Sequence, residues 1–423
     1  MVACCGTLAK TGLNALSPFA VVSILLSLAG GAFAQEPGGK AALDYTVQVE
    51  TAHKELDDSF YWFHPYLTPI PGSRPDGPPD VILLTQKHLS VDDHYSNTFV
   101  LRTHNLGKTW SKPQAVPQLK WLSDEGYDRS IASIVPKWHA KTGKLLAIGH
   151  SNVHDRPTGF VNKAGATWIY YTIYDPKLDQ WRDWQPLGAP GEGNYASASG
   201  CSQWMIQPDG TILLPTYVKT EKDKPWAVRV YRCRFDGERL ETVESGNLLV
   251  HEQSRGIHEP SLTKYDGRYW LTIRSDESAF VSTSKDGLEF EPLVEWKFDD
   301  GAVLGSHNTQ QHWVTHSDGL FVVYTRRGAN NDHIARNRAP LFMARVDPAK
   351  QVVIRSTERV LIPERGVAMG NFGAADISPD ETWVSVGENM WPYQGKLPTD
   401  KGAEGAILIA RIRWNRPNAS AAR

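Results

Sequence analysis

Two short stretches decide the fold class: T-H-N-L-G-K-T-W at Thr103–Trp110 and S-K-D-G-L-E-F at Ser284–Phe290. Each contains a hydroxyl side chain, an Asn or Asp two residues later, a glycine and an aromatic residue. The hydroxyl and the Asn or Asp side chains can bond to the backbone of their own turn, glycine takes a positive φ, and the aromatic ring packs under a sheet. Weaker copies occur at Tyr174–Trp181 and Val346–Pro348. The repetition indicates a series of small antiparallel sheets.

Six buried-strand patterns recur outward from these turns, at intervals of about 50 to 66 residues. They are Val81–Leu84, Leu145–Gly149, Thr211–Pro215, Tyr269–Arg274, Leu320–Tyr324 and Thr382–Val386. Most follow a hairpin turn, and a third strand follows each. This pattern predicts an all-β chain: a six-bladed β-propeller with four-stranded antiparallel blades, whose radial closure hides most sheet edges. A strand at Tyr45–Val49 would complete the last blade, and seven blades remain the alternative.

The two ends of the chain differ from the repeated part. Residues 1–34 contain Lys10, an apolar run at Phe19–Leu28 and the small residues Ala32 and Ala34 before Gln35, which is typical of a secretory signal peptide. The run is too short to cross a bilayer. We therefore expect a secreted or periplasmic protein with a single propeller domain at residues 35–415 and a short tail at 416–423. A retained signal that tethers the same protein is the alternative.

Composition excludes several classes of partner. The net charge is -2 and the pI is about 6.7, so we expect neither nucleic-acid binding nor membrane insertion. Cys201 and Cys233 fall on the first and third strands of one predicted blade, too far apart for a disulfide, which predicts two free buried thiols. No histidine spacing typical of zinc occurs. We expect a monomer with no metal and no cofactor.

The innermost strand of each predicted blade carries polar residues. These segments are Phe63–Pro65, Asp128–Ser130, Cys201–Gln203, His258–Pro260, Ser306–Asn308 and Asn371–Gly373. Inner strands line the channel of a propeller, so polar side chains from distant parts of the chain would meet there. Hydrogen-bonded structural groups are the alternative for each residue taken singly. Six polar positions together favour a site at the axis.

Arginines dominate the predicted ligand-binding set. Arginine binds a planar carboxylate through two parallel hydrogen bonds, so several arginines around one channel indicate a carboxylated ligand. The predicted substrate-binding residues are Arg129, Gln203, Arg274, Tyr324, Arg326, Arg327 and Arg338. Pairing of these arginines with Asp276 or Asp332 is the alternative.

Two features resemble the sialidase-like superfamily. The opening turns resemble its Asp-box, S-x-D-x-G-x-T-W, and His258–Arg274 resembles its sequence of a glutamate, a D-G turn and an arginine. The resemblance implies that Glu259 activates a tyrosine nucleophile and that Arg274 is one of three arginines that hold the substrate carboxylate. Arg338 lies where the resemblance places the third arginine.

The family pattern fails at three places. Phe63–Pro65 replaces an Arg-Ile-Pro-like strand, and Asn371–Gly373 stands where the nucleophilic tyrosine is expected. Candidates for the acid/base aspartate are His88, Asp92, Asp93 and His94. Replacements for the tyrosine are Tyr217, Tyr324 and Tyr393.

Histidines, arginines and tyrosines in one site resemble the propeller-shaped polysaccharide lyases of uronate-containing glycans. In that chemistry a cation neutralises the uronate carboxylate, a base removes the C5 proton, and a donor protonates the leaving oxygen. A neutral histidine suits the base role. We predict His64, His88, Glu259 and His307 as catalytic residues.

The sequence leaves three functions open. The favoured one is a carbohydrate-active enzyme that cleaves a glycosidic bond beside an acidic sugar, uronic or sialic, in an acidic oligo- or polysaccharide. Within it, a His/Arg-based lyase is preferred slightly to an exo-sialidase-like hydrolase. The third is a non-catalytic glycan-binding propeller, which predicts axial residues that are scattered or blocked.

Overall fold

Short antiparallel strands with apolar alternation make up nearly all the regular structure of the protein. The structure is a computed structural model, and it describes residues 42–73, 77–89, 93–124, 126–155, 159–188, 193–391 and 396–421. The predicted signal peptide, residues 1–34, lies outside the described residues. Helix within the described ranges is limited to single 3-10 turns. They are Pro117–Leu119, Ala335–Asn337 and Arg355–Thr357.

The strands of the described residues form six sheets, numbered here along the chain, and the first three occupy the N-terminal half. Sheet 1 contains Tyr61–Ile70, Asp80–His88, Phe99–Thr103 and Gln114–Ala115. Sheet 2 contains Leu122–Asp124, Tyr127–His139, Lys144–Asp155, Gly159–Phe160, Ile169–Asp175, Gln180–Trp181 and Gln185–Pro186. Sheet 3 contains Ala196–Ala198, Met205–Ile206, Ile212–Lys219, Ala227–Phe235 and Leu240–Ser245.

The other three sheets follow in the same manner. Sheet 4 contains Ile257–Tyr265, Arg268–Ser275, Ala279–Ser284 and Val294–Glu295. Sheet 5 contains His312–His316, Gly319–Tyr324, Leu341–Asp347, Val352–Val353 and Arg359–Ile362. Sheet 6 contains Phe372–Ser378, Glu381–Gly387, Ala406–Trp414 and, from the other end of the chain, Tyr45–Lys54. The structure confirms the predicted all-β β-propeller with four-stranded blades.

Apolar layers hold neighbouring sheets together. A buried cluster lies between each sheet and the next, and another joins sheet 6 to sheet 1, where Trp383 packs with Trp62 and Leu83. Strand Tyr61–Ile70 of sheet 1 contacts Tyr127–His139 of sheet 2, and the first strands of sheets 4, 5 and 6 contact one another in turn. Inner strands therefore surround a common axis.

Strand Tyr45–Lys54 pairs with Ala406–Trp414 along its whole length, from Tyr45 opposite Trp414 to Lys54 opposite Ala406. This confirms that the N-terminal strand completes the last sheet. Asn418, in the predicted tail, is buried and bonds to Thr315, Ser317 and Pro379, which fixes the tail between sheets 5 and 6.

The turn chemistry follows the sequence. Oγ1 of Thr103 accepts from the Gly107 amide at 2.9 Å, and the equivalent bond from Gly287 to Ser284 Oγ is also 2.9 Å. Both glycines have positive φ, 79° and 83°. Cys201 and Cys233 are free and buried, as predicted.

Candidate active site at the propeller axis

The inner segments of five sheets share an unusual backbone conformation. Each places a residue other than glycine at positive φ: His64 at 52°, Ser133 at 56°, Cys201 at 59°, Glu259 at 46° and Asn308 at 46°. In sheets 1, 2 and 4 the strand register shifts at this point, as it does at a β-bulge. The left-handed conformation is costly for such residues and concentrates at functional sites. All five side chains line a common cavity.

The cavity has a volume of about 740 Å³ and contains the axis. Side chains from all six sheets or the loops beside them line it. They are Phe63, His64, Asp93, Tyr95, Ser133, His150, Asn152, Phe160, Asn162, Lys163, Thr167, Tyr195, Ala196, Cys201, Tyr217, Lys219, Trp226, Arg255, His258, Glu259, Arg274, Asp276, Asn308, Arg336, Arg338 and Asn371. Among them, six cationic side chains face three carboxylates.

A buried ion pair forms one wall. Nη1 of Arg274 donates to Oε2 of Glu259 at 2.5 Å, and its Nη2 donates to Oδ1 of Asn308 at 2.6 Å. Burial alone would raise the pKa of Glu259, but the adjacent Arg274 and the nearby Arg338 outweigh it and hold that pKa below its ordinary value. Glu259 is therefore a carboxylate at neutral pH.

A second guanidinium shares this wall without a carboxylate of its own. Nη2 of Arg338 donates to the Asn308 carbonyl oxygen at 2.6 Å, and Nη1 donates to Oδ1 of Asn371 at 3.1 Å. No described carboxylate forms an ion pair with it, although its side chain is buried. Burial, together with the like charges of Arg274 and Arg336, lowers the pKa of Arg338 to about 9. A buried cation in this state favours an anionic ligand, because buried charges are normally paired.

The hydrogen bonds of Arg338 fix the tautomer of His64. A guanidinium only donates, so Oδ1 of Asn371 faces Arg338 and its amide nitrogen donates to Nε2 of His64 at 3.2 Å. Oγ of Ser133 lies 3.3 Å from Nδ1 and 3.4 Å from Nε2. Because Asn371 donates to Nε2, the ring proton is on Nδ1, where it donates to Ser133. Sγ of Cys201 lies 3.5 Å from the same Nε2. Burial lowers the pKa of His64 well below its ordinary value, so the ring is neutral with Nε2 as its basic atom.

Four of the eleven residues predicted as catalytic or substrate-binding line the cavity: His64, Glu259, Arg274 and Arg338. The structure places the other two predicted catalytic histidines away from its lining. His88 is buried and stacked on Tyr61 with ring centroids 4.8 Å apart. His307 is also largely buried, with Nδ1 3.3 Å from the Gly305 carbonyl oxygen.

Arg327 apart, the remaining predicted ligand-binding residues bond to partners that do not line the cavity. Arg129 donates to Ser151 and to two backbone carbonyl groups. Gln203 bonds to both backbone groups of Trp313, which joins sheets 3 and 5.

Two more of the predicted ligand-binding residues, Arg326 and Tyr324, bond to Glu358. Arg326 donates to both of its carboxylate oxygens, at 2.8 and 2.7 Å, and the Tyr324 hydroxyl donates to it at 2.6 Å. Arg327 is exposed beyond them. Tyr217 lines the cavity, whereas Asp92 and Tyr393 lie outside the described residues.

Sequence reasoning missed several lining residues. Ser133 and His150 lie within long apolar strands of sheet 2, and Lys219, Trp226 and Arg255 lie at strand ends or in loops. No motif marks any of them. Ser133 lies at a shift in strand register, which is a β-bulge. The alternation of apolar and polar residues does not reveal such a bulge, so the sequence gives no signal for Ser133.

Within the described ranges, the histidine, cysteine and acidic side chains form no cluster suited to a metal ion. Over the same residues there is no helix with the length and hydrophobicity needed to cross a membrane.

Comparison with known proteins identifies relatives by structure. No family model matches the sequence, and a search of curated proteins found no match. A protein of unknown function from Dyadobacter fermentans is 13% identical, with a TM-score of 0.59 over 87% of this chain and 99% of its own.

Two sialidases are also similar. A variant of NanB sialidase from Streptococcus pneumoniae is 12% identical, with a TM-score of 0.57 over 86% of this chain and 70% of its own. The Trypanosoma rangeli sialidase in complex with sialic acid is 12% identical, with a TM-score of 0.55 over 84% of this chain. This chain spans 54% of that sialidase. At these identities the likeness shows a shared propeller fold.

Proposed function

We propose that the protein is a carbohydrate-active enzyme that holds a carboxylated sugar in the axial cavity and cleaves the adjacent glycosidic bond. The observation that carries the proposal is Arg338, a buried guanidinium that lines the cavity beside Arg274 and has no carboxylate partner among the described residues. A sugar carboxylate between the two guanidinium groups would supply the missing negative charge.

Elimination is the reaction that these groups favour for a uronate. Arg274 and Arg338 neutralise the carboxylate and so acidify the proton at C5. Nε2 of neutral His64 accepts that proton after the bound sugar displaces the Asn371 amide from it, and the electrons of the C5–H bond form a C4–C5 double bond as the C4–O bond breaks. The hydroxyl of Tyr217, whose pKa burial raises well above its ordinary value, is protonated at neutral pH and donates a proton to the leaving oxygen. The products are an unsaturated uronate and a shortened saccharide.

Sialidase-like hydrolysis is the second candidate. What favours it is the contact between Glu259 and Arg274, together with the fold shared with sialidases. It would need a tyrosine nucleophile close to Glu259. Tyr217 lines the cavity, and its pKa is raised first by burial and second by the charge of Glu259.

A substrate screen distinguishes these reactions. Purified protein is incubated with uronate-containing polysaccharides and with sialosides. Elimination produces the ultraviolet absorbance of a conjugated double bond, hydrolysis releases free sialic acid, and absence of both on every substrate would reject an enzyme. Arg338→Gln should abolish the activity found, whereas Arg359→Gln, an exposed arginine paired with Asp44, should retain it.

We also infer that all six sheets are blades of one ring within the domain predicted at residues 35–415. Support comes from the apolar cluster between every pair of neighbouring sheets, including sheets 6 and 1. A crystal structure with a seventh sheet in the ring would contradict it.

The signal-like pattern of residues 1–34 supports secretion or export to the periplasm. N-terminal sequencing of the exported protein should begin at Gln35, and an uncleaved chain would contradict this.

A further inference from the structure

Four rings extend the axial cavity towards sheets 3 and 4. Tyr217 lies at their centre, with ring centroids 6.0 Å from His150, 5.1 Å from Trp226 and 5.9 Å from His258. Trp226 and His258 are also 6.0 Å apart. All four line the cavity, and we call them the aromatic shelf. Trp226, at its outer end, is only partly buried.

The shelf is uncharged at neutral pH. Burial lowers the pKa of His150 to about 4, and burial with the charges of Arg274 and Arg255 lowers the pKa of His258 to about 3. Neutral aromatic rings beside a polar cavity present a surface on which the apolar face of a sugar ring can pack. The shelf therefore suits a second sugar, next to the one at the axis.

Lys219 supplies a cation at the outer end of the shelf. Its Nζ lies 5.7 Å from the centre of the Trp226 ring and donates to the Lys222 carbonyl oxygen at 3.4 Å. Among the described residues no carboxylate forms an ion pair with it. The neighbouring Arg255 differs, because Asp276 binds its guanidinium through two bonds of 2.8 and 2.6 Å.

We propose that the aromatic shelf and Lys219 form a second sugar-binding subsite, in which Trp226 packs against the neighbouring sugar and Lys219 binds that sugar's carboxylate or sulfate. This inference rests on the proposed function, since it assigns the axis to the first acidic sugar. It makes the ligand an acidic oligo- or polysaccharide with an anionic group on adjacent units, and not a single terminal sugar.

Calorimetric titration of the whole protein tests the subsite without requiring turnover. The probes are glucuronate, which reaches only the axis, a glucuronate-containing tetrasaccharide without sulfate, and a sulfated tetrasaccharide of the same kind. We expect Lys219→Gln, through loss of one charge-assisted contact, and Trp226→Leu, through loss of one aromatic packing surface, each to weaken tetrasaccharide binding about tenfold and to leave glucuronate binding unchanged. Lys222→Gln, an exposed neighbour outside the cavity lining, is the matched control and should bind like the wild type.

The outcomes separate the two proposals. Lys219-dependent binding without any cleavage would support the subsite and remove the proposed enzyme activity. Equal binding of the tetrasaccharides by wild type, Lys219→Gln and Trp226→Leu would overturn the subsite, as would failure of the wild type to bind either one. Loss confined to the sulfated probe would identify sulfate as the group at Lys219.

Discussion

Replacement of Glu259 by glutamine tests the charge balance at the axis. The side chains of Glu259 and Arg274 are 13% and 8% exposed, and the substitution removes the carboxylate while keeping the size and one acceptor. Loss of one partner from a buried ion pair costs about 3 to 5 kcal/mol. Because Arg274 lines the cavity and glutamine still accepts a hydrogen bond, we expect the low end, about 3 kcal/mol.

Urea unfolding followed by circular dichroism measures this loss. The control is Glu381→Gln in sheet 6, which removes one of the two carboxylates that pair with Arg411. The side chains of Glu381 and Arg411 are 8% and 7% exposed. Glutamine at this position should destabilise the fold by about 2 kcal/mol, because it removes the two-bond partner of Arg411 but leaves Glu50 paired with that guanidinium at 3.1 Å.

Glucuronate distinguishes the two variants. In Glu259→Gln the ligand carboxylate can take the place of the lost side-chain carboxylate, so glucuronate should raise the free energy of unfolding more than it does in the wild type. In Glu381→Gln the added stability should match the wild type. The reasoning is refuted if Glu259→Gln unfolds at the wild-type urea concentration, or if glucuronate stabilises both variants equally.

Three further outcomes follow from the same contacts. Asn371→Leu removes the donor to Nε2 of His64, so nitrogen-15 NMR should show a protonated Nδ1 in the wild type and a mixture of tautomers in the variant; a wild-type ring protonated at Nε2 would contradict the chain of bonds. Burial, aided by the charge of Glu259, raises the pKa of Cys201 to about 12, so the native thiol at about pH 8 should react with a disulfide reagent about 100-fold more slowly than the urea-unfolded chain, and comparable rates would disprove its burial. The lowered pKa of Glu259 adds stability that is present above its ordinary pKa and is lost as the pH falls through the pKa of the folded state. The urea midpoint should therefore fall less between about pH 5 and pH 3 in Glu259→Gln than in the wild type. Equal falls in the two proteins would contradict this.

The strands could be predicted from sequence because each repeat alternates apolar and polar residues between hairpin turns. Glu259 and Arg274 were predictable for a related reason: a short hairpin joins them, and a motif marks both. Arg338 followed from the same resemblance. Local patterns therefore identify the elements and the residues that a motif carries.

Long-range partners explain the misplaced residues. Arg326 and Tyr324 were predicted to bind substrate, but Glu358, more than thirty residues further along, takes both of them. Nothing in the sequence near Arg326 indicates that pairing. His150 was missed for the opposite reason, since it lies within an apolar strand that resembles buried core. Only the approach of sheets 2 and 3 brings it to the cavity.

The pairing of Tyr45–Lys54 with Ala406–Trp414 has a consequence for biogenesis. Asn371 directly precedes the first strand of the sheet that this pairing completes, so we expect the axial network to form only after Ala406–Trp414 has paired with Tyr45–Lys54. Until then, strand Ala406–Trp414 has a free edge, which is open to pairing with other chains. A saccharide that contacts sheets 1, 4 and 6 at once would act as a clasp across this junction, and its binding would oppose opening of the ring.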